Sequence, residues 1–443
     1  MDENNQAVNM ADHVLGFDPE QVERLPFKEL LAKVGPGFIL AGIQLGPGSL
    51  TTSAMIGAEY GYRLLWIMLP VLFMGITFML VTYRLSVFTG RPMLHSIRHY
   101  YGKAASRLVG GALFLACMFF TIGNILGLGA GMHLLFGIDW KLSALIVMAF
   151  VLFCYFSKDV YSKVEKCAMI ALCFMAVAFL IVLVKAGGPD WGAAFQGLTE
   201  WRFPQGSLPA VIGFIGSSAA LTTGIYGTYL SSEKKWNKQD LFNGAMLADT
   251  IAHIFAVVLI STLIIMVGAV VMYPVGGRIS VPADLVEMMV PVLGDMAAPV
   301  MGVAVLAAAF SAIIGNTTRS MVFLSAGFNK PTSFQARNIQ IGAVIVLAIG
   351  TAICFTYGKS PVQLIYFSNV ATGIATPVAG IFVTLGKVMR ADQTKDSGWF
   401  SSAGTDGKSS GNNGVPTRQG EAGRSRVQGD AAASVCGSGT GWP

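Results

Sequence analysis

Two hydroxyl-rich stretches interrupt otherwise apolar runs of the chain, and each contains residues that break helices. The first runs from Leu45 to Ser53 and reads LGPGSLTTS, a Gly-Pro-Gly break followed by four hydroxyl side chains. The second runs from Gly213 to Ser232 and reads GFIGSSAALTTGIYGTYLSS. Carbonyls freed at such breaks, together with hydroxyl oxygens, suit a hydrated cation, a metal chelate or a neutral polar solute. These stretches are the candidate binding site.

The composition indicates a membrane protein. Of 443 residues, 53% are hydrophobic and 12% are charged, about half the charged share of a soluble domain. Hydropathy predicts ten spans, at residues 38–60, 65–83, 108–136, 142–156, 168–184, 210–230, 244–273, 297–324, 339–356 and 362–388. The fold class is therefore an all-α polytopic membrane protein, in which broken helix is tolerated only beside protein or a water-filled cavity.

The two breaks occupy corresponding positions, because each one opens a set of five spans. Interrupted spans at matching places are typical of transporters built from inverted repeats that bind substrate near the midplane. A packing kink at the first stretch and small-residue helix packing at the second are the alternatives. The pairing favours the transporter, with helix interrupted around residues 46–49 and 222–224. Ser49 is expected to cap the second half-helix of the first span.

The distribution of charge predicts the topology. Lys and Arg concentrate in alternate loops, so the positive-inside rule places both termini in the cytoplasm. The expected location is the plasma membrane. The predicted segments are 1–34 (cytoplasmic N-terminal segment), 35–186 (first repeat), 187–206 (extracellular linker), 207–390 (second repeat) and 391–443 (disordered cytoplasmic tail). The six cysteines lack metal-ligand spacing, and no cofactor is predicted. The scattered basic residues argue against nucleic acid.

The segment from Gly35 to about Val388 resembles the NRAMP (SLC11) metal-ion transporters. GPGFILAGIQLGPGSLTTSAMIGAEYGYRLLW resembles the first span of that family, and MHLLFGI resembles the end of the third. LAAAFSAIIGNTTRSMVFLSAGF is similar to the eighth span and FSNVATGIATPVAG to the tenth, in the same order. The resemblance implies a leucine-transporter-like fold of two inverted five-helix repeats with discontinuous first and sixth helices. It also implies alternating access.

The departures from the NRAMP pattern fall on the metal ligands. Gly46 and Ser49 stand where the family has its aspartate and asparagine, while Gly224 and Tyr226 stand at its methionine and the following histidine. The positions expected nearest the metal are Gly46, Ser49, Thr223 and Gly224. Neutral oxygen-bearing or small residues thus make up the whole candidate site: Gln44, Gly46, Ser49, Ser218, Thr222, Thr223, Gly224, Tyr226 and Asn369. A dehydrated Fe²⁺ or Mn²⁺ site does not follow from them.

Few ionisable residues remain within the spans. Thr121 and Asn124 stand at the family's acidic relay positions. Neither side chain ionises near neutral pH, so neither is expected to relay a proton. Asp249 and His253 lie four residues apart, on one helix face, and are the candidates for coupling; structural pairing is the alternative. Arg319, near the end of the eighth span, is expected to snorkel to the interface.

The sequence thus predicts an NRAMP-related secondary transporter moving iron, manganese or another divalent cation, hydrated or chelated, without the family's proton coupling. A Mg²⁺ transporter or a carrier of a small polar organic solute is the alternative within transport. A channel lacks a filter signature here, and a non-transporting receptor is a further possibility. No nucleophile–base pair or phosphate loop supports an enzyme.

Overall fold

The structure is a computed structural model that describes residues 21–34, 36–156, 158–219, 221–233, 236–279, 282–333 and 335–357, with 373, 376 and 379–381. This part of the chain is helical and contains no strand. The helices are α1 (Phe27–Lys33), α2 (Pro36–Gln44), α3 (Pro47–Tyr60), α4 (Met68–Thr89), α5 (Met93–Phe136), α6 (Trp140–Phe156), α7 (Lys158–Lys185), α8 (Trp191–Thr199), α9 (Leu208–Ser218), α10 (Leu221–Glu233), α11 (Ala245–Val267), α12 (Val290–Leu293), α13 (Ala297–Gly327) and α14 (Arg337–Tyr357).

Nine of the ten predicted spans coincide with these helices, with α2–α3 and α9–α10 as broken first and sixth spans. Six helical stretches in the described ranges are long and apolar enough to cross a membrane. They are Leu65–Thr89, Met93–Phe136, Leu208–Leu230, Ala245–Val275, Val290–Gly327 and Arg337–Thr356. The predicted tenth span and the 391–443 tail lie outside the described residues.

Short turns join the long helices. A π-helical turn, Gly268–Met272, extends α11, and 3₁₀ turns lie at Leu65–Ile67, Lys238–Leu241, Tyr273–Val275, Pro282–Met288 and Gly294–Met296.

The longest helices, α5 and α13, pack closely because glycines face the opposing backbone. A Cβ on Gly110 would lie 2.8 Å from Phe323 O, and one on Gly131 would lie 2.8 Å from Leu306 N. Small residues at the contact let membrane helices approach in this way.

The first break separates α2 from α3 at Leu45 and Gly46. Gly46 is extended (φ −80°, ψ 171°), and Pro47 opens α3 at a position where its missing N–H has no intrahelical partner to lose. A Cβ on Gly46 would lie 2.5 Å from Asn124 Oδ1 and 2.6 Å from Ala312 Cβ. Glycine is therefore required for the break to fit between α5 and α13.

Ser49 stabilises the first break from the carbonyl side. Its hydroxyl lies 2.8 Å from Gln44 O and 2.9 Å from Gly46 O, and its one proton is shared between these two acceptors. The prediction that Ser49 caps the N-terminus of α3 is wrong, because Gly46 is the N-cap residue and no side chain caps it. The end of α2 leaves acceptors without intrahelical donors, and a hydroxyl in the next turn supplies one.

The second break lies earlier than the sequence predicts. Helix α9 ends at Ser218, Ala219 has left the helical conformation (φ −129°, ψ 29°), and α10 begins at Leu221. The expected interruption at residues 222–224 is therefore wrong, since these residues form the first turn of α10. Gly224 instead permits close packing on α4, where a Cβ would lie 2.8 Å from Thr82 Oγ1 and 2.9 Å from Phe78 O.

The segment before α2 is tied to the loop that follows α10. Lys33 Nζ lies 2.5 Å from Asp240 Oδ1, and Leu25 N donates to Asn243 O at 3.1 Å. Burial raises the pKa of Asp240, but hydrogen bonds from Lys33, the Asn237 backbone and the Asn243 amide outweigh it, leaving the pKa below its ordinary value. The segment before the first broken span is thus linked to the loop after the second.

Replacing Ser49 by alanine should destabilise the protein, because the buried Gln44 carbonyl loses its hydroxyl donor, whereas Gly46 O keeps the backbone donors Ser49 N and Leu50 N. We expect a loss of about 1–3 kcal/mol, measured as a lower melting temperature of the detergent-purified protein. Ser53→Ala is the matched control, since Ser53 makes an ordinary intrahelical bond to Ser49 O. Equal melting temperatures for the two variants would contradict this role of Ser49.

The Lys33–Asp240 pair should make stability depend on pH. The pKa of Asp240 is depressed in the folded protein, so its contribution is fully present above the unfolded pKa of about 3.9 and is lost as pH falls through the folded value. Lys33→Gln should therefore melt below wild type at pH 7, with the difference vanishing in acid. Lys28→Gln, on the exposed side of α1, is the control. A gap independent of pH would refute the assignment.

Candidate functional site

Gln44 connects the two breaks. It is the last residue of α2, and its Nε2 donates to Ser217 O at 2.7 Å, near the end of α9. Its Oε1 accepts a hydrogen bond of 3.3 Å from Thr223 Oγ1, in the first turn of α10. All three residues are at most 3% exposed. The ends of three half-helices therefore meet through one buried amide.

Helix α13 closes this network into a ring. Asn316 Nδ2 donates to Ile43 O at 3.0 Å, beside the first break. Arg319 Nη2 donates to Asn316 Oδ1, and Arg319 Nη1 lies 3.4 Å from Thr223 Oγ1. The side chains of Gln44, Thr223, Asn316 and Arg319 are called the polar ring below. It takes up backbone carbonyls of both breaks, as a non-aqueous environment requires.

Arg319 is buried, and the prediction that it snorkels to the interface is wrong. Only 4% of the residue is exposed, and it stands about two turns before α13 ends at Gly327. Among the described residues, no Asp or Glu oxygen lies within 4.0 Å of its guanidinium. The sequence signal that identifies it in retrospect is the run NTTR, whose polar residues continue well inside an apolar helix.

Two residues beside the ring have polar atoms without hydrogen-bond partners. Both amide atoms of Asn124, which lies against Gly46, are unpaired, and so is Thr222 Oγ1. Each of these residues has 0% exposure. Unpaired buried polar atoms are costly and rare in folded proteins, so they mark places where a further polar group is accommodated.

The structure brings together only part of the predicted site. Gln44, Gly46, Ser49, Thr222 and Thr223 surround the two breaks, and the Ser218 hydroxyl lies 3.4 Å from that of Ser217.

Gly224 faces α4, whereas the Tyr226 ring packs edge-on against Phe323 with centroids 6.2 Å apart. Gly224 and Gly46 therefore face different helices. Asn369 lies outside the described residues. Asn316 and Arg319 belong to the ring but were absent from the predicted site.

Asp249 and His253 both contact Gly37 at the start of α2. Asp249 Oδ1 accepts from Gly37 N at 2.8 Å, and Tyr83 donates to Oδ2 at 3.4 Å. His253 Nδ1 lies 3.1 Å from Gly37 O. A carboxylate at a helix N-terminus is favoured by the helix dipole. These residues thus anchor the first half-helix from α11.

The donor set around the breaks is neutral apart from one guanidinium. Among the residues that the structure describes, no group of three His, Cys, Asp or Glu side chains is placed to hold a metal. Thr121, at an expected relay position, donates to Cys117 O within α5 at 2.9 Å. The amide and hydroxyl oxygens of this arrangement are ligands suited to a cation that keeps most of its water.

A separate pocket of about 520 Å³ lies among the residues of the 187–206 linker and their neighbours. Its walls include Tyr60, Arg63, Glu200, Arg202 and Tyr273. None of the predicted site residues lines it. The exposed Trp201 stacks on Trp66 beside it, with centroids 5.3 Å apart.

Comparison with known proteins agrees with the sequence resemblance. A family profile described as natural resistance-associated macrophage protein-like matches residues 37–390. A divalent metal cation transporter of Agrobacterium fabrum is 27% identical over 361 residues, covering 79% of this chain and 77% of that protein. Its counterpart in Brucella suis biovar 1 is 26% identical, with 80% of each chain covered.

The manganese transporter of Eremococcus coleocola has the same fold, with a TM-score of 0.65 and 19% identity over 82% of this chain and 81% of that one. The nucleobase-cation-symport transporter Mhp1 is also similar (TM-score 0.55, 15% identity, 79% and 77% covered). The fold is therefore leucine-transporter-like and all-α, as predicted. With its broken first and sixth spans and a profile match along most of its length, the chain belongs to the NRAMP family of multi-pass metal-transporting membrane proteins.

Proposed function

We propose that this protein moves a divalent metal across the plasma membrane by alternating access, binding it at the polar ring without proton coupling. The observation that carries the proposal is the Gln44 amide, which joins α2, α9 and α10 at their broken ends. A site held between discontinuous helices of two repeats is the arrangement through which such transporters expose substrate alternately to each side. Both termini are placed in the cytoplasm on the basis of the charge distribution.

The relatives support a metal substrate, because they bear the name divalent metal cation transporter. The ring itself supplies amide and hydroxyl oxygens. Hard, largely hydrated cations accept such ligands, whereas soft ions favour thioether or thiolate. We therefore propose that manganese or iron is transported with water or other ligands still bound to the ion. Mg²⁺ is the alternative metal.

The absence of proton coupling is proposed from the residues at the relay positions. Thr121 and Asn124 do not ionise near neutral pH. Asp249 and His253 are occupied with Gly37, at the N-terminus of α2. Their contacts support a structural role in orienting the first half-helix.

Uptake into proteoliposomes tests the proposal. The purified protein should give saturable uptake of Mn²⁺, Fe²⁺ or Mg²⁺ while a trapped pH-sensitive dye reports no acidification. Uptake restricted to neutral organic solutes would contradict metal transport. Acidification in proportion to metal, lost in Asp249→Asn and retained in the exposed-site control Glu287→Gln, would instead assign a coupled proton to Asp249.

Gln44→Leu should strongly reduce metal uptake, because a shorter side chain without polar atoms cannot bridge Ser217 O and Thr223 Oγ1. We expect a fall of at least about ten-fold, the equivalent of one or two lost buried hydrogen bonds. Thr51→Val is the control, since Thr51 bonds only within α3, to Pro47 O at 2.7 Å. Wild-type uptake by a correctly folded Gln44→Leu protein would move the site elsewhere.

A further inference from the structure

The buried guanidinium of Arg319 is the feature that a simple cation site does not explain. Arginine remains protonated in proteins, so the polar ring carries a permanent positive charge. Thr223 Oγ1 and Asn316 Oδ1 accept from it, and the Cys117 thiol also interacts with the guanidinium; all three groups are neutral. A bare divalent cation entering this ring would meet repulsion from Arg319 and no opposing carboxylate among the described residues around it.

The cost of this charge indicates a role beyond holding helices together. Burying an ion without an opposite charge costs several kcal/mol even after relaxation. The carboxylate of Asp249 accepts from Gly37 N and Tyr83 at the start of α2, not at the polar ring. Among the described residues the guanidinium of Arg319 therefore has no carboxylate partner within the polar ring.

Unpaired polar atoms beside the two breaks are available to an anion. Arg319 Nε has no hydrogen-bond partner, and Thr222 Oγ1, next to Thr223, has none either. On the other side of the first break, Asn124 Nδ2 is also an unused donor. Each of these side chains is at least nine-tenths buried. A guanidinium N–H, a hydroxyl and an amide N–H are donors of the kind that bind a carboxylate.

We propose that the substrate presents a carboxylate group to Arg319, so that the metal enters the polar ring as a carboxylate complex. This inference rests on the proposed transport function and names its substrate class. One guanidinium balances one negative charge, which favours a carboxylate over a doubly charged phosphate. The carboxylate belongs either to a metal complex or to a free organic acid, and both present the same group to Arg319.

Binding measurements on the detergent-purified protein separate these sources. Titrations would use Mn²⁺ alone, then acetate, malonate and citrate, each with and without equimolar Mn²⁺. We expect at least one Mn²⁺–carboxylate mixture to bind at least about ten-fold more tightly than Mn²⁺ alone, the effect of a hydrogen bond to a charged group. No variant is needed for this comparison, so it does not depend on the folding of a mutant.

Variants at Arg319 then assign the effect to the guanidinium. Arg319→Gln should weaken binding of the preferred carboxylate mixture about ten-fold or more, while Arg319→Lys, which keeps the charge, should retain part of it. Arg98→Gln is the matched control, because Arg98 is a half-buried arginine that donates to Gly327 O, away from the ring. The three variants are compared only as monodisperse preparations.

The outcomes distinguish this inference from the proposed function. If free Mn²⁺ binds as tightly as every mixture and Arg319→Gln has no effect, the carboxylate inference is overturned and metal transport stands. If a carboxylate without metal binds best and depends on Arg319, the inference stands and metal transport falls. Binding of neither Mn²⁺ nor any carboxylate overturns both.

Discussion

The structure depends on satisfying the backbone groups that two broken helices leave inside an apolar bundle. Without water, every carbonyl released at the end of α2 or α9 needs a donor from the protein. Ser49 serves Gln44 O, Asn316 serves Ile43 O, and the Gln44 amide serves Ser217 O. The side chains that make the breaks tolerable are therefore the same ones that place α2, α9, α10 and α13 around a common centre.

This constraint also limits the chemistry available at that centre. Several carbonyls that a dehydrated cation would use are already engaged by neutral donors, and the charge contributed by α13 is positive. Asp249, an acidic residue close to the first half-helix, accepts from Gly37 N at the opposite end of α2. In this member of the NRAMP family, the centre therefore has neutral donors and one positive charge, which favours the proposed carboxylate complex over a bare ion.

The two ends of α2 are held in different ways, and this difference has consequences for motion. At its start, Asp249 and His253 contact Gly37, and Lys33 is paired with Asp240 beyond the bundle. At its end, Gln44 bonds to both α9 and α10. Movement of α2 relative to the second repeat therefore requires breaking these polar contacts and shifting the buried apolar contacts of Leu40, Ala41 and Ile43.

The sequence by itself determined the helical class, nine helical segments within the described ranges and the first break, because hydropathy and Gly-Pro-Gly are local signals. It indicated the second break but misplaced it by a few residues. It did not determine where side chains point. The hydroxyls of Thr51 and Ser53, in the stretch LGPGSLTTS, bond back to Pro47 O and Ser49 O. Gly224 is read as a missing ligand but packs against α4, and Arg319 is read as an interface residue but is buried. Only the tertiary structure decided these roles, because rotation of a helix about its axis depends on which neighbours offer acceptors and space, and those neighbours lie far away in the chain.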